Sequence, residues 1–184
     1  MASVRGRTSR LTLWVPFAAG GLLGGATTGL VLAVMSGLFS PLPPPVRLIV
    51  IALLAAGLLV LDLASAKLPL PQRSTLIPQT VFAAGMVRGI FRFGYEYGTG
   101  VRTLIPSAAS YILAGALLLS AAPWWQILLI GALFGFSRTL PILQSLVLGG
   151  EHWAEFLSSH TRVLERLGSL VTTVLVAAIV LGQW

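Results

Sequence analysis

The 184-residue chain contains no cysteine. That absence excludes disulfides, thiol relays, iron–sulfur clusters and cysteine-ligated zinc within the chain, and it leaves the redox compartment open. Charge is scarce as well: 9% of the residues are Asp, Glu, Lys or Arg, with 5 acids against 12 basic residues. With few carboxylates and 2 histidines, the chain shows no Ser-His-Asp constellation, phosphate loop, haem-attachment motif or zinc-protease motif. His152 and His160 lie near Glu151 and Glu155, but they do not form a close i, i+4 pair of the kind that grips a metal on one helix face. A solvated interfacial helix is the reading there, and no metal or cofactor is implied. The net charge of +7 does not indicate nucleic acid, because the basic residues are dispersed among apolar segments and form no continuous stripe.

Apolar residues are abundant, at 56% of the chain. They gather into stretches that match the roughly 20 residues a helix needs to cross a bilayer, and a helix satisfies its own backbone hydrogen bonds in lipid. The composition therefore predicts an all-α, polytopic helical membrane protein, a single integral membrane domain over residues 1–184. Five spans are expected: Leu11 to Phe39, Arg47 to Ala66, Gly94 to Ala122, Trp124 to Leu148, and Leu167 to Trp184. Pro41, Pro43, Pro44 and Pro45 break the first hairpin and Pro123 the second, since proline lacks the amide donor and disfavours helix in the residue before it. Trp124 and Trp125 mark a membrane–water boundary.

Arg5, Arg7 and Arg10 precede the first span, and Lys67, Arg73, Arg88 and Arg92 lie between the second and third, whereas the short hairpin turns carry only Arg47. The positive-inside bias then places the N-terminus in the cytoplasm of a multi-pass plasma-membrane (inner-membrane) protein. The basic start resembles a cleavable leader, but the apolar run after it far exceeds a signal core and ends in Ser-Pro without a small-x-small site, so it reads as retained. Leu76 to Phe91 is short and interrupted by Gln79 and Arg88, which fits an interfacial or re-entrant helix. From Trp153 to Leu170 one helical face carries Trp153, Phe156, Leu157, His160, Val163, Leu164, Leu167 and Leu170. This second amphipathic helix is expected along the cytoplasmic surface before a turn into the last span.

The shift that carries Gly20 onto Gly98 also carries Gly37 onto Gly115, Pro45 onto Pro123, Gly57 onto Gly135 and Arg88 onto Arg166. The order of elements repeats with it, which suggests an internal two-fold repeat with units 11–92 and 93–184. The units are inverted if the segment at Leu76 crosses the membrane and parallel if it does not.

The passage Arg88 to Tyr111 joins aromatics, close glycines, an acid, arginines and a proline at the entry to a span. Gly94, Gly98 and Gly100 permit close helix packing or local unwinding, and Thr99, Thr103, Ser107 and Ser110 supply hydroxyls. Pro106 removes a backbone donor and frees the carbonyl of Arg102. Such a broken helix is how many transporters build a binding site. Ionisable groups in lipid are costly and usually face a bundle interior or water; the candidates are Asp62, Glu96, Arg102 and Arg138. Asp62 and Arg138 fall at similar depth, roughly 21 to 23 Å below the outer ends of their spans. These residues, with Thr103 and Pro106, are the candidate substrate pathway.

The stretch FGYEYGTGVRTLIPSAASYILAGALL resembles the glycine- and proline-bearing helix of the LysE superfamily, which includes the CcdA and DsbD membrane domains. It is also similar to MauE-like integral membrane proteins. In the redox branch of that superfamily paired cysteines carry electrons, and the matching places, near Thr27 and Thr28 and near Ile105 and Pro106, hold none. What the resemblance implies is a solute or ion permease scaffold, or a cysteine-less relative recruited to a membrane complex. The first functional expectation is accordingly a small membrane transporter or permease component for a small anionic or zwitterionic solute, working as a homo-oligomer in the bilayer. The alternative is a non-catalytic anchor or assembly subunit joined to other membrane subunits. An enzyme is not expected: Glu96 with Arg92 or Arg102 against a lipid head group lacks a partner base or metal set.

Overall fold

The computed structural model describes residues 2–63, 85–100, 108–148 and 150–181, and among these the chain is helical with short turns and no strand. The helices are α1 (Ala2–Phe39), α2 (Pro44–Leu63), α3 (Met86–Gly98), α4 (Ala109–Leu119), α5 (Trp124–Ser137), α6 (Leu140–Leu148) and α7 (Gly150–Leu181). Among the described residues, three stretches are long and apolar enough to cross a membrane: Thr12–Phe39, Pro44–Leu61 and Trp124–Val147, the last taking in α5 and most of α6. Their outward residues are aliphatic, as lipid requires: Val31, Val34 and Leu38 on α1 and Leu53 and Val60 on α2 are all exposed.

Three boundaries differ from the sequence expectation. The span expected from Gly94 to Ala122 is not one helix, because α3 ends at Gly98 and α4 begins only at Ala109. Gly100 has φ 72°, a left-handed conformation that glycine adopts without a Cβ clash, and the helix cannot continue through it. The interfacial helix expected from Leu76 to Phe91 falls partly outside the described residues; its end does not stop at Phe91 but runs on as α3. The turn expected after Trp153–Leu170 does not occur either. α7 is continuous from Gly150 to Leu181, a stretch without proline.

The described helices form two compact units: Met1–Leu30, Gln72–Leu104 and Leu128–Ser159 in the first, and Val31–Pro71, Ile105–Ile127 and His160–Trp184 in the second. Each unit draws segments from both halves of the chain, so neither coincides with residues 11–92 or 93–184.

The first unit is built on glycine. On α1, Gly20 and Gly24 meet the backbone of α3 at Phe91, Gly94 and Tyr95 and of its C-cap Thr99, while Gly21 and Gly25 meet α5 at Gly131 and Gly135. α3 answers with Gly94 against Phe17 and Gly98 against Gly21, and α5 with Gly131 against Gly25 and Gly29. These are small-xxx-small pairs, whose i, i+4 spacing stacks them on one helix face. Lipid tails are as apolar as the side chains, so burial alone does not drive helices together there; close backbone approach and its dispersion energy do.

The second unit has a side-chain core. Ile51 and Ala55 of α2 pack with Ala108 and with Ile112 and Leu119 of α4, flanked by Phe39, Leu58 and Ala116. Gly115 lets α4 close on α2, since a methyl there would sit 2.9 Å from Leu54 Cδ2. Ser120 caps the end of α4: its hydroxyl donates to Leu117 O (3.0 Å) and accepts from Ala122 N (3.2 Å), and Ala121 follows at φ 49°.

Two outcomes follow from this packing. Gly25→Ala places a methyl against the backbone of α5 and lowers the thermal stability of the detergent-solubilised protein, whereas Gly57→Ala, which meets nothing within 4 Å, leaves it unchanged or raises it by up to about 1 kcal/mol through helix propensity. Ala121→Gly removes the left-handed strain of a Cβ-bearing residue and stabilises by up to about 1 kcal/mol, read by the same melting measurement.

Candidate functional site

Within the first unit two helix interruptions meet. One is the end of α3, where Thr99 N donates to Tyr95 O (3.1 Å) and Gly100 N to Tyr97 O (3.4 Å) before the chain turns through positive φ. The other separates α5 from α6. Pro141 has no amide proton for the carbonyl of Ser137, so the helix tightens into a turn in which Thr139 N donates to Phe136 O (2.9 Å) and restarts at Leu140. Arg138 stands in that turn. A Cβ on Gly100 would lie 3.3 Å from Arg138 Nη1 and 3.4 Å from Phe134 Cε1, which puts the two interruptions in contact.

Arg138 is half-buried and held by aromatic faces: its guanidinium carbon is 4.8 Å from the Tyr97 ring centroid and 5.6 Å from that of Phe134. A cation over such rings gains about 0.5–2 kcal/mol, more as water is excluded. Guanidinium suits this position because it is planar and weakly hydrated and keeps N–H donors in its plane. Tyr97 is itself fixed by Phe17 of α1 (centroids 5.8 Å apart) and by Phe93 (6.3 Å), and Phe17 stacks on Phe93 at 5.7 Å.

Polar backbone at the two breaks is tied down from α1. Thr28 Oγ1 donates to Thr99 O at 2.9 Å, and Trp14 Nε1 donates to Thr139 O at 3.2 Å with its ring edge-on to Phe136. Thr99 and Thr139 return their own hydroxyls to Glu96 O (2.8 Å) and Phe136 O (2.7 Å). Thr139 is fully buried. Thr139 O also accepts from Leu143 N (3.3 Å), and such pairing matters because unpaired polar backbone in an apolar environment costs several kcal/mol.

Glu96 is 7% exposed, and its Oε1 lies 3.6 Å from Arg92 Nε one turn earlier on α3. The Arg92 side chain is 66% exposed, so this ion pair is largely solvent-screened and contributes little by itself. A shielded carboxylate and a π-held guanidinium therefore belong to one helical unit, the composition from which anion sites and proton relays are built.

Of the residues singled out from the sequence, Gly94, Gly98 and Gly100 lie on or just after α3, and Glu96 and Arg138 share their unit. Asp62 lies near the end of α2 in the second unit. Arg102, Thr103 and Pro106 lie outside the described residues. Sequence reasoning passed over Tyr97, Phe134, Trp14 and Thr28. The position of Pro141 three residues after Arg138 was a legible sign of the second interruption; which rings would receive the arginine was not legible, because nothing local says which helices adjoin.

A double-mutant cycle with Tyr97→Leu and Arg138→Gln, read by thermal unfolding in detergent, is expected to show a coupling of about 0.5–2 kcal/mol. Arg138→Lys keeps the charge and loses the planar stacking, and recovers only part of it.

No protein-family model matches the chain, and neither a curated protein nor a solved structure matches it.

Proposed function

We propose that the protein is a small membrane transporter or permease component whose pathway passes the paired helix interruptions of the first unit. The observation that carries this reading is the contact of Gly100 with Arg138, which joins two broken helices at a cationic side chain. Interrupted helices are how transporters present backbone groups and charge to a solute inside the membrane. Arg138 favours an anionic or zwitterionic solute, Glu96 carries a coupling proton, and Arg102 and Thr103 are further candidates for the same pathway from the sequence. In this reading the chain has five spans, with α3, α4 and the second half of α7 completing the crossings, and an inner-membrane topology with the N-terminus in the cytoplasm. It works as a homo-oligomer, and its internal repeat and likeness to the LysE superfamily reflect a permease ancestry.

A second reading, an assembly subunit of a membrane complex, is favoured by one observation. α7 exposes Phe156, Val163, Leu164, Leu167 and Leu170 on the amphipathic stretch noted in the sequence, a face suited to a partner helix.

Proteoliposome uptake of labelled small carboxylates, amino acids, phosphate and sulfate separates the two. Transport predicts saturable uptake of at least one of them, abolished by Arg138→Gln and made independent of the proton gradient by Glu96→Gln, with both variants monodisperse and helical. Absence of uptake by the wild type, together with a stoichiometric partner copurifying from the host membrane and lost on Leu164→Asp, selects the subunit.

A further inference from the structure

The glycine contacts of the first unit fix the level at which each helix lies along the others. Gly94 meets Phe17 and Gly98 meets Gly21, so α3 runs parallel to α1; Gly21 meets Gly135 and Thr139 while Gly25 meets Gly131 and Gly135, so α5–α6 runs antiparallel. Extended at about 1.5 Å per residue, this register brings Arg88 of α3 and Val147 of α6 within about one turn of the level of Thr12 on α1. Thr12 begins the apolar stretch of α1, and Val147 ends that of α5–α6. Two limits drawn from hydropathy alone therefore coincide in space, and they mark one water–lipid boundary of the unit.

Arg88 and Arg92 stand at this boundary. They are one turn apart on the same face of α3, and both are exposed. Each Cα–Cβ bond tilts toward the helix N-terminus, which for α3 is the direction of the boundary, so the long side chains lead out of the apolar layer. Arg92 is partly answered within its own helix by Glu96, 3.6 Å away. Arg88 is not: among the described residues no carboxylate forms an ion pair with it. Like charges at this spacing repel. α1 adds Arg5, Arg7 and Arg10 in the turns before Thr12, and α7 begins beyond Val147 with Glu151 and Glu155, so arginines outnumber acids at this end of the unit.

We propose that Arg88, with Arg92 beside it, binds the head group of an anionic phospholipid. The helix register sets both residues at head-group level, and the phosphate supplies acceptors that match a guanidinium in paired hydrogen bonds. Its charge relieves the repulsion between two neighbouring cations, which is the complementarity the face lacks within the chain. Met86 and Val87, just before Arg88, are exposed as well and offer the lipid an apolar surface beside the charged one. A zwitterionic lipid presents the same phosphate but brings a cation of its own, so the surplus of arginine selects an anionic lipid over it. The assignment concerns the lipid-facing surface of the unit and holds whether or not the chain transports a solute.

The test is native mass spectrometry of the full-length protein, stripped of lipid in detergent and titrated separately with phosphatidylglycerol, with phosphatidylcholine of the same acyl chains, and with inorganic phosphate. Wild type is expected to bind phosphatidylglycerol about fivefold or more tightly than phosphatidylcholine. Arg88→Gln is expected to weaken phosphatidylglycerol about fivefold, the contribution of one basic residue at an anionic surface, and to leave phosphatidylcholine unchanged. Arg88→Lys keeps the charge and most of the preference, and Arg88→Ala, a strong helix former, repeats the loss and decides the matter if Arg88→Gln does not fold. Equal binding of the two lipids by wild type overturns the assignment. So does undiminished binding of phosphatidylglycerol by Arg88→Gln or Arg88→Ala, and so does inorganic phosphate binding as tightly as the lipid, which would give the arginines to a free anion.

Discussion

The first unit depends on backbone-to-backbone contact along α1. Gly20 and Gly24 seat α3, and Gly21 and Gly25 seat α5, so one helix face of four glycines sets two crossings. Everything that distinguishes the unit is held at distances those crossings fix: Phe17 against Phe93 and Tyr97, Thr28 on the Thr99 carbonyl just past α3, Trp14 on Thr139, and the approach of Gly100 to Arg138. Where apolar burial gives no net attraction between helices, such contacts are the available source of cohesion.

The same crossings make the polar groups tolerable. An α1 side chain donates to a carbonyl at each break: Thr28 to Thr99 O just past α3, and Trp14 to Thr139 O, which also accepts from Leu143 N. Arg138 is stabilised by ring faces instead of by full hydration. The second unit works by ordinary means, with Ile51, Ile112 and Leu119 enclosed by apolar neighbours, and among its described residues the uncompensated polar atoms are those of Ser36 and Arg47. The two units thus handle buried polarity in opposite ways.

Much of this was legible in the sequence. Hydropathy located the apolar stretches of α1, α2 and α5–α6, and the prolines at 41–45 and 123 marked the turns beside them. The glycines at 94, 98 and 100 stood out because their spacing is visible within one helix. The packing role of the glycines at 20, 21, 24 and 25, and of those at 131 and 135 that meet α1 from α5, was not legible, since a spacing does not name the helix it meets. Helix ends were read less well. Hydropathy reports a change of surroundings, and α7 passes from an amphipathic to an apolar sequence without losing a turn of backbone hydrogen bonding, while α3 stops inside a sequence that looked continuous because Gly100 changes hand. Arg138 was flagged by its depth, but its environment of Tyr97 and Phe134 arises from tertiary packing that no local pattern encodes.

The glycine faces also bear on how this sequence can drift. A change that alters the amino acid at Gly24, Gly25 or Gly135 adds atoms where two backbones already touch, so the first unit resists replacement in one direction: toward bulk. Leu22, Leu23 and Leu30, on the exposed side of the same helix, can exchange with other aliphatics at little consequence. α1 is therefore a helix with two rates of inheritance, a slow inner edge written in absent side chains and a fast outer edge written in interchangeable ones.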